Sequence, residues 1–275
     1  MTCGLFIYLG SNNIIMKHTL KLFVLLALII VSSCKESESP IPNNQSTIEC
    51  IKEHTLIYFN GAEIGTKRFV YDQNKLLEDE LTFNPQNELT DSVHHSYDNN
   101  EQIIRSYYYN IVYDITQVQR WDHNGEGNVT SYELEVNGSV TSTQQYFYNP
   151  KGNLDSVNLV YNGVPTRQLY TYKSDALVLI TTIDEQGSLS HTDSYNYLPL
   201  KTTIVRRDAD NSFISAFEII TNESGQEVKW RQIEANGTAS ISRSTEYDDN
   251  GNIVKITDDY GSHGIYEYVT TWICE

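Results

Sequence analysis

Hydrophobic and polar residues alternate along most of this chain. In residues 130–136 one face of an extended segment carries Tyr132, Leu134 and Val136, and the other carries Ser131, Glu133 and Glu135, the period-two pattern of a β-strand. Leu89, Asp91, Val93, His95 and Tyr97 share a face in the same way, as do Ala239, Ile241, Arg243, Thr245 and Tyr247, but these faces mix apolar with polar groups. Both faces of such strands meet water. No long segment places apolar residues at i, i+3, i+4 and i+7, so the pattern does not predict helices.

Turn signals punctuate the alternation. From Asn60 to Ser262 they recur at steps of roughly 12 to 13 residues, which predicts about 18 short strands. The expectation is an all-β fold, a long antiparallel up-and-down meander of about 18 short strands in a single curled or barrel-like sheet, because a twisted sheet of that many strands curls or splits. Two kinds of turn alternate along the chain. Asn60-Gly61, Asn137-Gly138, Asn162-Gly163 and Asn236-Gly237 are dipeptides suited to a two-residue type I′ hairpin, whose central residues both need positive φ.

The longer turn is a repeated phrase. Tyr247-Asp248-Asp249-Asn250-Gly251-Asn252-Ile253 recurs as Tyr148-Asn149-Pro150-Lys151-Gly152-Asn153-Leu154 and, read as an enlarged copy with two inserted residues, as 121–129. Backbone geometry explains its letters: Asp or Asn bonds its own backbone, and Gly supplies the positive φ that turns the chain back. The phrase Tyr-Asp-x-x-Gly-Asn followed by an aliphatic residue, with degenerate copies at 97–103, 121–129 and 148–154, resembles the YD repeat of RHS proteins. Short YD-repeat lipoproteins of Bacteroidota are similar in spacing and length. The resemblance implies a large curled sheet. With Glu275 directly after the last predicted strand, it implies that sheet without a toxin cargo.

The amino-terminal stretch reads as a processing segment. Met16-Lys17-His18-Thr19-Leu20-Lys21 is basic, Leu22 to Val31 is apolar, and Val31-Ser32-Ser33-Cys34 ends on cysteine after small residues. This resembles the lipobox of bacterial lipoproteins, which implies cleavage before Cys34 and acylation of that residue. Residues 1–33 are then a signal, with Met16 as an alternative start, and the apolar run is about half of what a membrane-spanning helix needs. Residues 34–47 read as a lipidated polar tether, and 48–275 as one repeat domain. Lys35-Glu36-Ser37-Glu38 is similar to the export signal that follows the lipidated cysteine in surface lipoproteins of Bacteroidota. The resemblance places the protein at the outer membrane, on the cell surface or the periplasmic face.

Charge and cysteines narrow the picture. The net charge is −17, and removal of residues 1–33 takes away Lys17 and Lys21 and no acid. An acidic surface repels nucleic acid and anionic headgroups, so no nucleic-acid partner is expected and membrane contact comes from the lipid anchor alone. Cys50 and Cys274 bracket the folded region. An extracytoplasmic compartment permits a disulfide between them, and a reduced pair is the alternative.

Chemical motifs are few. Asp122, Asn124 and Glu126, followed by Gly127, Val129 and Glu133, have the spacing of an EF-hand calcium loop. The flanking segments read as strands, however, and an extended strand carries Glu133 away from the turn; the reading is a turn, and no metal or other cofactor is expected. His94 and His95 face opposite ways on a strand, which prevents joint chelation. His191 with Asp193, and Asp91 with His95, share faces. No Gly-x-Ser-x-Gly, His-Glu-x-x-His, Cys-x-x-Cys or phosphate-cradling glycine loop occurs, so no catalytic residue is assigned. Tyr outnumbers Phe by 20 to 8, and a Tyr ring packs on a pleated surface while its hydroxyl meets water. The functional expectation is a non-catalytic envelope protein whose tyrosine-rich sheet binds a glycan, peptide or protein. The alternatives are an envelope assembly protein pairing through its sheet, and, ranked last, a hydrolase with a dispersed site.

Overall fold

The structure, a computed structural model, describes residues 50–274. The signal segment and the whole tether, Cys34 included, lie outside those residues. The first strands are β1 (Cys50–Phe59), β2 (Ala62–Tyr71), β3 (Leu77–Phe83), β4 (Leu89–Tyr97), β5 (Ile103–Asn110) and β6 (Ile115–His123). They are followed by β7 (Val129–Val136), β8 (Ser139–Tyr148), β9 (Leu154–Tyr161), β10 (Val164–Lys173), β11 (Ala176–Ile183) and β12 (Leu189–Leu198). The last are β13 (Lys201–Asp208), β14 (Phe213–Thr221), β15 (Glu227–Glu234), β16 (Ala239–Tyr247), β17 (Ile253–Asp259) and β18 (Ile265–Cys274). A three-residue 3-10 turn, Gly261–His263, is the sole helical element among the described residues.

Every strand pairs antiparallel with its sequence neighbour, and β18 also pairs with β1, from Cys50↔Cys274 to Phe59↔Tyr266. The meander is therefore a closed 18-stranded barrel. Closure matters energetically, because it leaves no row of unpaired edge N–H and C=O groups. Both chain ends of the barrel lie at one rim, here called the seam end. The other rim is the far end.

Local chemistry sets the turns. In the turn after β16, Asp248 Oδ1 accepts the N–H groups of Asn250 and Asn252 at 2.9 and 2.8 Å, while Gly251 takes φ 83°. Asn60-Gly61, Asn137-Gly138 and Asn162-Gly163 have positive φ at both residues, the type I′ hairpins expected from the dipeptide. Two expectations are corrected. Asn236-Gly237 belongs to the longer turn: Glu234 N–H donates to Thr238 O and Gly237 N–H to Glu234 O, both at 2.9 Å. The phrase at 121–129 contains no insertion. Asn124 N–H bonds Asn128 O as Asp248 N–H bonds Asn252 O, both at 2.9 Å, so β6 runs on to His123, which stands where the other copies have tyrosine. The two kinds of turn do not alternate strictly either, since longer turns occur at both rims.

On many strands one face holds the most buried residues: Thr55 and Ile57 on β1, Glu80 and Thr82 on β3, Asp91, Val93 and His95 on β4, Gln168 and Tyr170 on β10. Bending a sheet into a cylinder crowds inward side chains and splays outward ones, so this is the inner face. Substantial contacts between strands are between ladder neighbours, and a ring of 18 strands is wide enough for an aqueous interior. The largest apolar cluster, Leu154, Val157, Leu159, Tyr170, Leu177 and Ile180, lies along the inner wall of β9 to β11. Outward positions carry charge instead. Arg120 holds Glu133 and Glu135 at 2.7 and 2.9 Å, Glu218 is clasped by Lys201 and Arg231, and Lys255 meets Glu267.

The tyrosine of the repeated phrase has a fixed task at the seam end. Tyr97 donates its hydroxyl to Leu77 O at 2.8 Å and Tyr148 to Val129 O at 2.7 Å, and Tyr197, ahead of a short turn outside the phrase, donates likewise to Leu177 O at 2.9 Å. Each acceptor lies two residues beyond the last ladder pair of its hairpin, for example Asp79↔His94 for Leu77, where the carbonyl has no partner from the ladder. Trp272 Nε1 does the same for Ile253 O at 2.8 Å. At the seam, Tyr71 accepts the Lys52 N–H at 3.0 Å. His123 breaks the series: its buried Nδ1 has no hydrogen-bond partner.

Candidate functional site: the tyrosine-lined inner wall

Period-two alternation and a two-strand repeat together place tyrosines in ladders. Tyr146, Tyr170 and Tyr195 sit on β8, β10 and β12, and Tyr148, Tyr172 and Tyr197 lie two residues nearer the seam end on the same strands. The register links them through the intervening strands, with Tyr146↔Val157 and Val157↔Gln168 on one level and Tyr170↔Ile180 and Ile180↔Asp193 on the next. Aromatic strands thus alternate with aliphatic ones, and each strand is offset from the last by the stagger of a tilted barrel. The Tyr195 and Tyr197 rings are stacked with centroids 6.4 Å apart. Half of Tyr197 is exposed, whereas Tyr170 is sunk in the wall.

The hydroxyls are held by polar neighbours in a recurring pattern. Tyr146 donates to Gln144 Oε1 at 2.5 Å and Tyr170 to Gln168 Oε1 at 3.0 Å, so Gln-x-Tyr on alternate strands makes a local pair on one face. On β12 the equivalent position is Asp193, which is already engaged by Arg206 Nε and Nη2 at 2.7 and 2.9 Å. The Tyr195 hydroxyl is consequently buried without a hydrogen-bond partner. Burial pushes the Tyr132 phenol up to about 12. Burial, with neighbouring phenols or Asp193 adding to it, pushes Tyr146, Tyr170 and Tyr195 up as well. All four remain neutral phenols across the physiological range.

Ionic clusters brace the rest of the wall. Lys67 Nζ reaches Glu80 at 2.8 Å, His95 Nε2 lies 3.3 Å from the same carboxylate, and His95 Nδ1 lies 2.8 Å from Ser106 Oγ. Burial alone would raise Glu80; hydrogen bonds and charge from His95 and Lys67 outweigh it and hold its pKa below the ordinary range. Asp91 nearby goes the other way, raised by burial. Arg243 grips Asp258 at 2.6 and 2.8 Å beside the Trp230 ring. Burial, then the Arg206 charge, push His191 below its usual value, so it stays a neutral imidazole.

The Ser106–His95–Glu80 order has the letters of a nucleophile relay, but its geometry withholds what acyl transfer needs. Ser106 and His95 are only 4% and 3% exposed. Both lie in the β4–β5 ladder, paired with each other, where backbone N–H groups bond to the neighbouring strand instead of converging on an oxyanion. The wall that results combines aromatic rings with amide, hydroxyl and paired charged groups.

Residues singled out from sequence fall in several places. Cys34 lies outside the described residues. Cys50 and Cys274 form a disulfide at the seam. The four calcium-loop residues do not converge: Asp122 accepts from Ser131 on β7, Asn124 Oδ1 accepts the N–H groups of Glu126 and Asn128 within its own turn, and Glu133 is held outward by Arg120. His94 faces outward to Asp79 at 2.9 Å and His95 inward. Asp91 and His95 share the inner face, and His191 Nε2 stands 4.0 Å from Asp193. The tyrosine ladders were not singled out, although the signal was there: Tyr146, Tyr148, Tyr170, Tyr172, Tyr195 and Tyr197 repeat a Tyr-x-Tyr at a spacing of two strands.

No family model matches the sequence, and no curated protein matches it. Among solved structures, a porin-like protein from Bacteroides uniformis superposes with a TM-score of 0.43 at 8% identity, covering 82% of this chain and 96% of that one. The TcdB2-TccC3-Cdc42 structure superposes with a TM-score of 0.36 at 15% identity, and the match covers 77% of this chain but only 13% of that one. Neither superposition is close enough to carry the fold, which rests on the strand pairing itself.

Proposed function

We propose that this chain is a non-catalytic lipoprotein of the bacterial envelope whose barrel binds a neutral carbohydrate along its inner wall. The observation that carries the reading is the double ladder of Tyr146, Tyr170 and Tyr195 beside Tyr148, Tyr172 and Tyr197. Aromatic faces stack on sugar rings, and the adjoining Gln amides and phenols exchange hydrogen bonds with hydroxyls. Anchoring rests on the acylated Cys34 implied by the lipobox resemblance. The charged outer wall supports attachment by that anchor in preference to burial of the barrel in lipid, since an embedded barrel needs a tall apolar band. Assembly through sheet edges has lost its physical basis, because the closed ladder leaves no edge to pair.

A glycan array probed with the whole chain tests this reading. Retention of neutral oligosaccharides, lost in the Tyr146→Ala and Tyr172→Ala variants, is the expected result. Failure to retain any glycan, or equal retention by both variants, would sink it.

A further inference from the structure

The two rims of the barrel differ in their outward side chains. At the far end the outward residue nearest the turns is apolar on most strands, and Leu89, Val140, Val160, Leu189, Phe213 and Ile265 are 37, 54, 37, 41, 37 and 40% exposed. Their outward direction follows from the register: Leu89 pairs with Phe83, Val160 with Pro165, Leu189 with Ile183 and Ile265 with Asp259. The β5–β6 turn extends the patch with Val112 and Tyr113, 62% and 56% exposed. At the seam end the equivalent positions carry the apolar Val70, Phe147 and Leu198, 39, 45 and 55% exposed, but they are interrupted by Asp79, Ser96, Arg105, Ser131, Lys229 and Lys255. An apolar collar one or two residues high is far shorter than the band of a membrane-embedded barrel.

Charge around the collar leans acidic. Glu63, Glu88, Asp114, Asp184 and Asp259 stand within or beside it, with Glu135 already held by Arg120, against Arg68, Arg167, Arg207 and His263. Among the described residues, every lysine except the mid-strand Lys67 is at the seam end, from Lys52 to Lys255. Acids repel an anionic bilayer and repel the same rim of a second copy, while they attract cations. A large exposed apolar patch rimmed by polar groups marks an interaction surface.

We infer that the far-end collar docks a protein partner that presents an apolar face fringed with Lys and Arg. Such a partner buries its apolar residues on Leu89, Val140 and Phe213 while its cations meet the surrounding carboxylates. This surface is separate from the inner wall and does not depend on carbohydrate binding.

The test uses the whole chain and two synthetic amphipathic helices, one built of Leu and Lys and the other of Leu and Glu, each carrying a photo-crosslinker. The Leu/Lys helix should bind saturably and crosslink to the far-end collar, and the Leu/Glu helix should not bind. Val140→Asp and Phe213→Asp should weaken binding about tenfold or more, while Ser131→Asp at the seam end should leave it unchanged; both collar sites are exposed, and circular dichroism checks that the variants fold. Crosslinks spread over the outer wall, or collar variants that bind as well as the parent, would overturn the inference. So would dimerisation of the unmodified chain through the collar, or tighter binding to phosphatidylglycerol vesicles than to the Leu/Lys helix.

Discussion

Tyr247 donates its hydroxyl to the backbone carbonyl of Glu227 at 2.8 Å, on the neighbouring strand and two residues past the last ladder pair, Lys229↔Ser244. The repeated phrase thereby does two jobs at once. Its acid and glycine turn the chain, and its tyrosine closes the end of the preceding hairpin. Removal of the hydroxyl alone should cost about 1 kcal/mol per site, the net worth of one hydrogen bond whose acceptor regains partial access to water. Urea melts of Tyr97→Phe, Tyr148→Phe and Tyr247→Phe measure it. The losses should add in the combined variant, because the three strands are not neighbours.

The inner phenols make the barrel sensitive to alkali. A tyrosine whose folded pKa is raised leaves stability unchanged below its unfolded value near 10; above that pH the unfolded chain ionises first and stability falls until the folded pKa is reached. For Tyr132, at about 12 in the folded state, the loss by pH 12 is about 2 kcal/mol. Tyr146, Tyr170 and Tyr195 shift the same way. Stability measured against urea should therefore drop steeply above pH 10, and Tyr146→Phe should flatten the slope.

Acid should act through a different group. Glu80 has a depressed folded pKa, so its contribution is complete above the ordinary carboxylate value and is lost as pH falls toward the depressed one. In Glu80→Gln that part of the acid limb should disappear. An acid limb identical to that of the parent would remove Glu80 from the account.

Two glycines separate backbone conformation from packing. Gly152 has φ +81° with open space where a Cβ would sit, whereas a Cβ on Gly65 would meet Phe83 O on the paired strand at 2.5 Å. Gly152→Ala should cost about 1 kcal/mol for the left-handed conformation alone. Gly65→Ala should cost more, up to about 3 kcal/mol, because β2 and β3 must part. Thermal melts of the two variants give the ranking directly.

Strand number and up-and-down order were legible in the sequence because each turn carries its own chemistry, as Asp248 and Gly251 show. Closure was not, because it depends on β1 meeting β18 across the whole length of the chain, and the Cys50–Cys274 pair was its one local hint. Side-chain direction was harder still. Register shifts interrupt the alternation beside most long turns, for instance between Asp122 and His123 and between Thr182 and Ile183, so strict alternation cannot be carried from one strand to the next. That is why residues 121–129 read as an enlarged turn and why the tyrosine ladders stayed hidden. Tyr195 and Gln168 gain meaning only when three strands are laid side by side.

The central claim is that ligand meets the tyrosines of the inner wall, and ring-proton NMR of the tyrosine-labelled whole chain, titrated with a neutral oligosaccharide retained on the array, tests it most directly. The account predicts saturable shifts of Tyr146, Tyr170, Tyr195 and Tyr197 while the outward-facing Tyr107 stays still. Shifts confined to Tyr107 and Tyr109, with the inner ladders unmoved, would contradict it.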